Sequence, residues 1–261
     1  MTETTPRGRF VWYDLMTTDP NGATDFYTKV AGWGTQPWDT GGMPYTMWTT
    51  ENTPIGGVMP LAPEMAGSVP PHWIGYVAVP DVDKSATQVE ALGGRVLTPP
   101  MDIPEVGRFA VISDPQGAAI AIFTPSGGTP RPDGEPNVGE MSWHELTTTD
   151  HKAAYDFYQT LFGWDKTGDF DMGEMGVYQM YGRGGQSLGG MFTKPADMPM
   201  PPNWLYYIRV PNADEAVERV KALGGQVLNG PMDVPGGDRI AQCLDPQGAA
   251  FAVHARPARA D

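Results

Sequence analysis

Cysteine and long apolar runs are both scarce in this chain. Its 261 residues include one cysteine, Cys243, which excludes an internal disulfide framework and is compatible with a reducing compartment. A lone thiol of this kind is typical of a packed core. No segment approaches the ~20 apolar residues of a membrane-spanning helix, and the N-terminal stretch lacks the apolar core of a secretory signal. We therefore expect a cytoplasmic protein without a membrane partner.

Positive charge is scarce as well. The chain carries 17 Lys and Arg against 31 Asp and Glu, a formal net charge of -14, and such a surface repels phosphate backbones. Nucleic acid is therefore excluded as an expected partner. The chain also contains no P-loop, dinucleotide fingerprint, nucleophile elbow or CxxC pair, which disfavours nucleotide binding and covalent-nucleophile chemistry.

A long internal repeat organises the sequence. The hexapeptide DPQGAA occurs at 114–119 and again at 245–250, and the same offset relates Trp12 to Trp143 and Trp73 to Trp204. Register kept over this length indicates a duplicated architecture. The 33 glycines and 27 prolines fall between short apolar runs, a distribution that predicts many short strands with tight turns.

Each repeat has the pattern of two βαβββ units. In the first unit a strand at 9–18 precedes Asp19-Pro20, a helix start, and strands follow at 34–39, 45–50 and 55–61. Between them, apolar residues at helical spacing predict an amphipathic helix that ends near Gly32: Ala23, Phe26, Tyr27 and Val30. We expect an α+β protein with domain 1 at 1–125, a linker at 126–138 and domain 2 at 139–261.

Three features recur in both halves: an acidic helix cap followed by Phe-Tyr, a Gly-Gly helix end, and a DPQG turn before the last strand. The caps are Asp19 and Asp150. This combination resembles the vicinal oxygen chelate superfamily, which includes glyoxalase I, bleomycin-resistance proteins, fosfomycin-resistance enzymes and extradiol dioxygenases, and is more closely similar to its tandem two-domain glyoxalase-like proteins. The resemblance implies two glyoxalase-like domains, each built from two βαβββ units and each with a concave cavity.

The resemblance also places the metal ligands that many members use. They would come from the first and last strands of each unit, and by register they fall on residues that cannot bind a metal: Trp12, Ile74, Ala121 and the Gly56-Gly57 pair in domain 1, and Trp143, Leu205, Ala252 and the Gly189-Gly190 pair in domain 2. The resemblance therefore implies that the usual four-ligand site is missing from both domains.

The alternation of side chains along the strands indicates two candidate catalytic residues in domain 2. Period-two geometry puts His254 on the cavity face with Ala252, and Glu145 on the same face with Trp143. Glu145 and His254 could act as an acid–base pair or share a divalent cation. Two protein ligands are too few for a closed zinc site, and an inward histidine is more often a hydrogen-bonded cavity residue. We therefore expect no metal or other cofactor and keep the cation as the alternative.

Aromatic and charged side chains on the same face are the candidates for substrate binding: Trp12, Asp14, Tyr76, Trp143, Tyr207 and Arg209. The aromatic rings suit a flat or apolar ligand, and Arg209, which replaces Ala78, suits an anionic one. A register error of one residue would move the whole set to the other face. Phe123 stands where domain 2 has His254, so we expect function to concentrate in domain 2.

Two classes of function stay open. The preferred one is a protein that binds a small organic molecule in the sheet cavity without the usual metal. The alternative is a metal-dependent lyase, isomerase or oxygenase acting in domain 2. Because the duplication supplies the usual domain partner, we expect a monomer or a weak homodimer.

Overall fold

The computed structural model describes residues 7–39, 42–62, 67–127 and 134–257. The first repeat contains, in chain order, β1 (Phe10–Thr17), α1 (Pro20–Val30), β2 (Gly34–Trp38), β3 (Tyr45–Thr50), β4 (Thr53–Pro60), β5 (His72–Ala78), α2 (Val82–Ala91), β6 (Arg95–Ile103), β7 (Gly107–Ser113) and β8 (Ala119–Pro125). The predicted pair of βαβββ units is confirmed.

The second repeat has the same order of helices and strands. It contains β9 (Met141–Thr148), α3 (His151–Phe162), β10 (Asp165–Asp171), β11 (Val177–Arg183), β12 (Gln186–Thr193), β13 (Asn203–Arg209), α4 (Ala213–Ala222), β14 (Gln226–Asp233), β15 (Arg239–Leu244) and β16 (Ala250–Ala255). A 3-10 turn, Gly173–Met175, lies between β10 and β11.

The strands form two eight-stranded sheets with matching orders, β2-β3-β4-β1-β5-β8-β7-β6 and β10-β11-β12-β9-β13-β16-β15-β14. The α+β class is confirmed. The terminal strand β6 runs on to Ile103, and its register with β7 shifts between Thr98 and Met101. Prolines 99 and 100 lie at that irregularity, on an edge strand where a missing N–H is tolerated.

The helices begin and end at the predicted signals. The Asp19 side chain accepts a hydrogen bond from the Gly22 amide at 3.0 Å, and Asp150 caps α3 through the amides of Lys152 and Ala153. All four predicted core residues of α1 are buried. Leu223 lies at the C-cap of α4 and is only half-buried, because the helix ends one residue before it.

Contacts divide the chain into two compact units that follow half-repeats. One unit takes Gly75–Gly134 and Trp143–Trp204 with the chain up to Trp12, and the other takes Tyr13–Ile74, Glu135–Ser142 and the chain from Leu205. Each unit therefore combines one βαβββ half from each repeat. The domain bounds 1–125 and 139–261, with the linker 126–138, stay a prediction; 128–133 lie outside the described residues.

Within the second of these units, the DPQG turn of one repeat binds a helix of the other. Asp245 Oδ1 accepts from the Ala249 amide at 2.8 Å, and Oδ2 accepts from the Tyr27 hydroxyl of α1 at 3.1 Å. Trp73 Nε1 donates to the same hydroxyl at 2.9 Å. Burial raises the pKa of both Asp245 and Tyr27, since each charged form would lose hydration.

The first unit repeats this contact with its own residues. Asp114 Oδ1 accepts from the Ala118 amide at 2.9 Å, its Oδ2 accepts from the Tyr158 hydroxyl at 3.1 Å, and Trp204 Nε1 donates to that hydroxyl at 3.2 Å. The repeated hexapeptide is therefore more than a turn. Each copy holds a tyrosine supplied by the other repeat.

Two arginines at equivalent positions of the repeats each form ion pairs with two aspartates. The Arg239 guanidinium forms ion pairs with Asp214 of α4 at 2.7 Å and with Asp233 at 2.9 Å. Arg108 contacts Asp83 and Asp102 in the same way.

The single thiol is buried, and burial raises the pKa of Cys243 to about 12. No helix within the described residues is both long and apolar enough to cross a membrane.

Candidate functional site

The two faces of β9 carry different chemistry. His144 pairs with Gly189 of β12, and Glu145 pairs with Gly190. His144 is 4% exposed and its ring stacks on Phe10 with centroids 3.7 Å apart. Tyr181, whose ring stacks on the core Trp164, donates to the His144 carbonyl at 3.0 Å. His144 therefore lies on the face packed against the helix, and Trp143 and Glu145 lie on the other, which we term the helix-distal face.

A tyrosine covers the glycine beside Glu145. A Cβ at Gly190 would overlap the Tyr178 ring, so the ring packs directly on the glycine backbone. The Tyr178 hydroxyl donates to Glu145 Oε2 at 3.0 Å and accepts from Trp143 Nε1 at 2.7 Å. We term Trp143, Tyr178 and Glu145 the Glu145 cluster. It joins a predicted catalytic residue and a predicted binding residue through a tyrosine that sequence reasoning missed.

The first repeat builds the same arrangement with one carboxylate shortened. The Tyr45 ring lies over Gly57, where a Cβ would overlap it, and its hydroxyl donates to Asp14 Oδ1 at 2.6 Å. Asp14 is 4% exposed. Glycine, which allows a ring to approach the backbone, was visible in the sequence at both positions. The tyrosine that fills each space could not be identified from spacing alone.

The residues at the family's metal-ligand positions do not fit a metal. Tryptophan, isoleucine, leucine and alanine offer no ligating atom, and the glycine of the remaining position is covered by Tyr45 or Tyr178. Ala121 and Ala252 are fully buried. Across the described part of the chain, no group of three or more His, Cys, Asp or Glu side chains is placed to hold a metal ion.

His254 is hydrogen-bonded through both ring nitrogens. Nδ1 lies 2.7 Å from Ser142 Oγ, and Nε2 lies 2.9 Å from Asp238 Oδ2. A metal at either nitrogen would displace one of these partners. Glu145 and His254 belong to different compact units, and their direct cooperation stays a prediction.

The remaining predicted binding residues of the second repeat lie near His254. In the pairing of β13 with β16, Tyr207 lies beside Ala252 and Arg209 lies beside His254. The Tyr207 hydroxyl accepts from Gln242 Nε2 at 3.0 Å. The Arg209 guanidinium donates to the carbonyl of Pro136, so this cation already has a protein partner.

The equivalent surface of the first repeat is apolar. Tyr76 packs against Phe109 and Phe123 at centroid distances of 6.1 and 6.5 Å. The Phe123 ring also covers Gly107, where a Cβ would overlap it. Trp12, the other predicted binding residue of this repeat, is half-buried. The predicted inequality of the two repeats therefore appears in the side chains of their second halves.

Comparison with known sequences gives relatives over nearly the full length. CFP32 of Mycobacterium bovis, provisionally named a glyoxylase, is 36% identical over 248 residues, which cover 93% of this chain and 92% of the relative. The anthracycline biosynthesis protein DnrV of Streptomyces peucetius is 33% identical over 259 residues, 94% of this chain and 92% of DnrV.

Solved structures share the fold at low identity. The 2,3-dioxygenase LapB from Pseudomonas sp. KL28 aligns with a TM-score of 0.66 at 12% identity, covering 98% of this chain and 94% of LapB. The Mn(II)-bound glyoxalase from Novosphingobium aromaticivorans aligns with a TM-score of 0.64 at 14% identity, and the alignment covers 96% of this chain and 83% of the glyoxalase.

A family profile matches both repeats, at residues 9–122 and 141–253. These segments coincide with the two sets of eight strands, and the relatives named above extend over both. The chain belongs to the Glyoxalase/Bleomycin resistance protein/Dioxygenase superfamily.

Proposed function

We propose that this protein binds a small organic molecule on the helix-distal face of its second repeat, with the Glu145 cluster as the polar anchor and without the family's four-ligand metal site. The observation that carries the proposal is the Tyr178 ring over Gly190, hydrogen-bonded to Glu145. It puts an aromatic surface and an ordered carboxylate where the metal would otherwise be held. Such a pairing of apolar area with a few fixed polar groups is typical of ligand sites.

The charges around the site favour a particular ligand chemistry. Glu145 is 8% exposed, and a carboxylate held this deep favours a ligand that donates hydrogen bonds over one that is itself anionic. Trp143 and Tyr178 supply flat faces for stacking. We infer a planar ligand with hydroxyl or amine groups, in keeping with the role in anthracycline biosynthesis that the name of DnrV states.

Binding measurements with matched probes test this proposal. Tryptophan fluorescence or calorimetry would follow a set of planar compounds that differ only in carrying a phenol, an amine or a carboxylate. We expect the phenol and amine to bind and the carboxylate to bind weakest. Glu145→Gln removes the charge and should weaken binding about 10- to 100-fold, because hydrogen bonds to charged groups contribute more than neutral ones.

The first repeat supplies the control. Asp14→Asn makes the equivalent change beside Tyr45 and should leave the measured affinity within about twofold, since sites in different places contribute independently. Equal losses for Glu145→Gln and Asp14→Asn would contradict the assignment to the second repeat. Preferential binding of the carboxylate probe would contradict the ligand chemistry.

Turnover of a small oxygenated metabolite is the second candidate, and the name of the relative CFP32 favours it. In that case Glu145 and His254 would be the acid–base pair of a lyase, isomerase or oxygenase. Assays of methylglyoxal with glutathione or another thiol, with and without added divalent metals, distinguish the two candidates. Robust metal-dependent turnover would overturn the proposal of metal-free binding.

We also propose that the protein works in the cytoplasm as a monomer or weak homodimer. The duplication supports this, because one chain already contains two copies of the family's domain. Light scattering across a concentration series checks the oligomeric state, and a stable higher oligomer would contradict it.

A further inference from the structure

Three separate segments of the second compact unit bring together a serine, a histidine and an aspartate. Ser142 lies near the start of β9, His254 lies on β16, and Asp238 immediately precedes β15. Ser142 Oγ is 2.7 Å from His254 Nδ1, and Asp238 Oδ2 is 2.9 Å from His254 Nε2. The contacts run in the order Ser–His–Asp, which is the order that activates a serine nucleophile.

The hydrogen-bond network allows one arrangement of protons in which His254 can activate Ser142. An ionised carboxylate can only accept, so His254 Nε2 carries the proton donated to Asp238. In the neutral ring Nδ1 then has a lone pair, which accepts from Ser142 Oγ. The other acceptor in reach of that hydroxyl, the Tyr207 carbonyl, is more distant at 3.2 Å. The nitrogen facing the serine is Nδ1 rather than the Nε2 of the serine proteases, and either imidazole nitrogen can take a proton.

The first repeat shows that the fold does not require this triad. At the three equivalent positions it has Val11, Gly107 and Phe123, on the same strands or just beside them. There the Phe123 ring fills the space over Gly107, and Val11 is 36% exposed. Because the first repeat folds without these three polar residues, we infer that the triad has a role other than stabilising the fold.

We propose that Ser142 is a nucleophile, activated by His254 and positioned through Asp238, that accepts acyl groups from small esters. The Ser142 oxygen bonds to the ester carbonyl carbon while its proton passes to Nδ1. The ester C–O bond then breaks, and the departing alcohol takes that proton. Water, deprotonated by the same nitrogen, attacks the acyl-serine, releases the acid and restores Ser142. No electrons are gained or lost, and no cofactor is needed.

Burial of the three groups is compatible with this chemistry. The His254 side chain is 10% exposed and that of Asp238 is 32% exposed, while Ser142 is half-buried. The base is therefore largely withdrawn from water, and the serine is not sealed in the core. The activity is separate from the proposed binding at the Glu145 cluster, which uses none of these three residues.

A fluorophosphonate probe tests the nucleophile directly, since an activated serine displaces fluoride and keeps the phosphonyl group. Intact mass and peptide mapping should show one label per chain, on Ser142, and p-nitrophenyl acetate should release a burst of p-nitrophenol. Ser142→Ala should abolish both. His254→Phe, which copies the first repeat, should slow labelling by about 100-fold or more, the range of a general base.

Asp238→Asn sharpens the test because an amide can donate to Nε2. The proton would then move to Nδ1, which could no longer accept from Ser142, and labelling should fall by about 100-fold with little change in shape. Val11→Ser is the matched control: it places a serine at the equivalent position of the first repeat without histidine or aspartate, and that serine should stay unlabelled. Circular dichroism and melting curves establish that each variant is folded.

Three results would overturn the proposal. They are a wild-type protein that takes no label, a label that persists in Ser142→Ala, and a folded His254→Phe variant that reacts at the wild-type rate.

Discussion

The two repeats share one side-chain contact in their first halves and have different side chains in their second halves. Tyr45 with Asp14 and Tyr178 with Glu145 make the same contact over the same glycine position. In the second halves, Phe123 of one repeat occupies the position at which His254 of the other is hydrogen-bonded to Ser142 and Asp238. The duplicated scaffold therefore tolerates either an apolar or a polar side chain at the positions of Phe123 and His254. Side chains at these positions can change without altering the strands that carry them.

The largest expected effect tests a feature in which the repeats are equal. Asp245→Ala removes an acceptor of buried backbone amides and of the Tyr27 hydroxyl, and leaving such donors unsatisfied should cost about 3–5 kcal/mol of unfolding free energy. Asp114→Ala should cost a similar amount. Urea denaturation measures both, and a large loss for only one variant would break the equivalence.

The next effect exposes a difference in the first strands, where His144 replaces Tyr13. Burial lowers the pKa of His144 from 6.5 to about 4. Below pH 6.5 the unfolded chain binds a proton that the folded chain refuses until about pH 4. The free energy of unfolding should therefore fall as the pH drops through this window, by about 3 kcal/mol in all.

His144→Asn isolates this effect, because its amide can keep a hydrogen bond to the Leu188 carbonyl without titrating. The raised pKa values of Asp114 and Asp245 act in the opposite direction, since protonation there favours the folded state. The difference between wild type and variant, followed by urea denaturation at pH 4 to 7, cancels that contribution. A difference that does not vary with pH would refute the assignment.

Phe123 and His254 occupy equivalent positions of the two repeats. Replacing each by the other should lower the free energy of unfolding by unequal amounts. Phe123→His puts an imidazole between apolar rings and should destabilise the fold by about 2 kcal/mol. His254→Phe should cost less than about 1 kcal/mol, because Ser142 and Asp238 are partly exposed and water can satisfy them. Melting curves of both variants check the order, and equal costs would mean that the second repeat depends on its polar triad for stability.

The smallest effect concerns the repeated arginine forks. Arg108→Gln and Arg239→Gln each remove exposed ion pairs with two aspartates. Such pairs are screened by salt and contribute little. We expect both variants to melt close to the wild type and to approach it further in high salt. A large loss of thermal stability in only one of the two variants would show that its arginine has a role beyond these ion pairs.

Sequence periodicity was sufficient to predict the fold, since helix stripes such as Phe26 with Val30, the glycine stops and the DPQG turns all report local geometry. Alternation also predicted that Glu145 shares a strand face with Trp143, and both side chains contact the Tyr178 hydroxyl. It could not find Tyr178, because a ring lying over a glycine depends on packing between strands. Nor could it find Ser142, which alternation along β9 sets apart from Trp143 and Glu145, or Asp238, which lies in a glycine-rich turn.

The half-repeat composition of each unit bears on how the chain folds during synthesis. The Tyr27 hydroxyl donates to Asp245, a partner 218 residues away, so part of the native packing of the N-terminal helix is missing until the last strands leave the ribosome. Contacts this distant in sequence slow folding and prolong the exposure of apolar surface. A nascent chain carrying only the first repeat would therefore be a client for chaperones, and the order in which the two units complete follows from the order of translation.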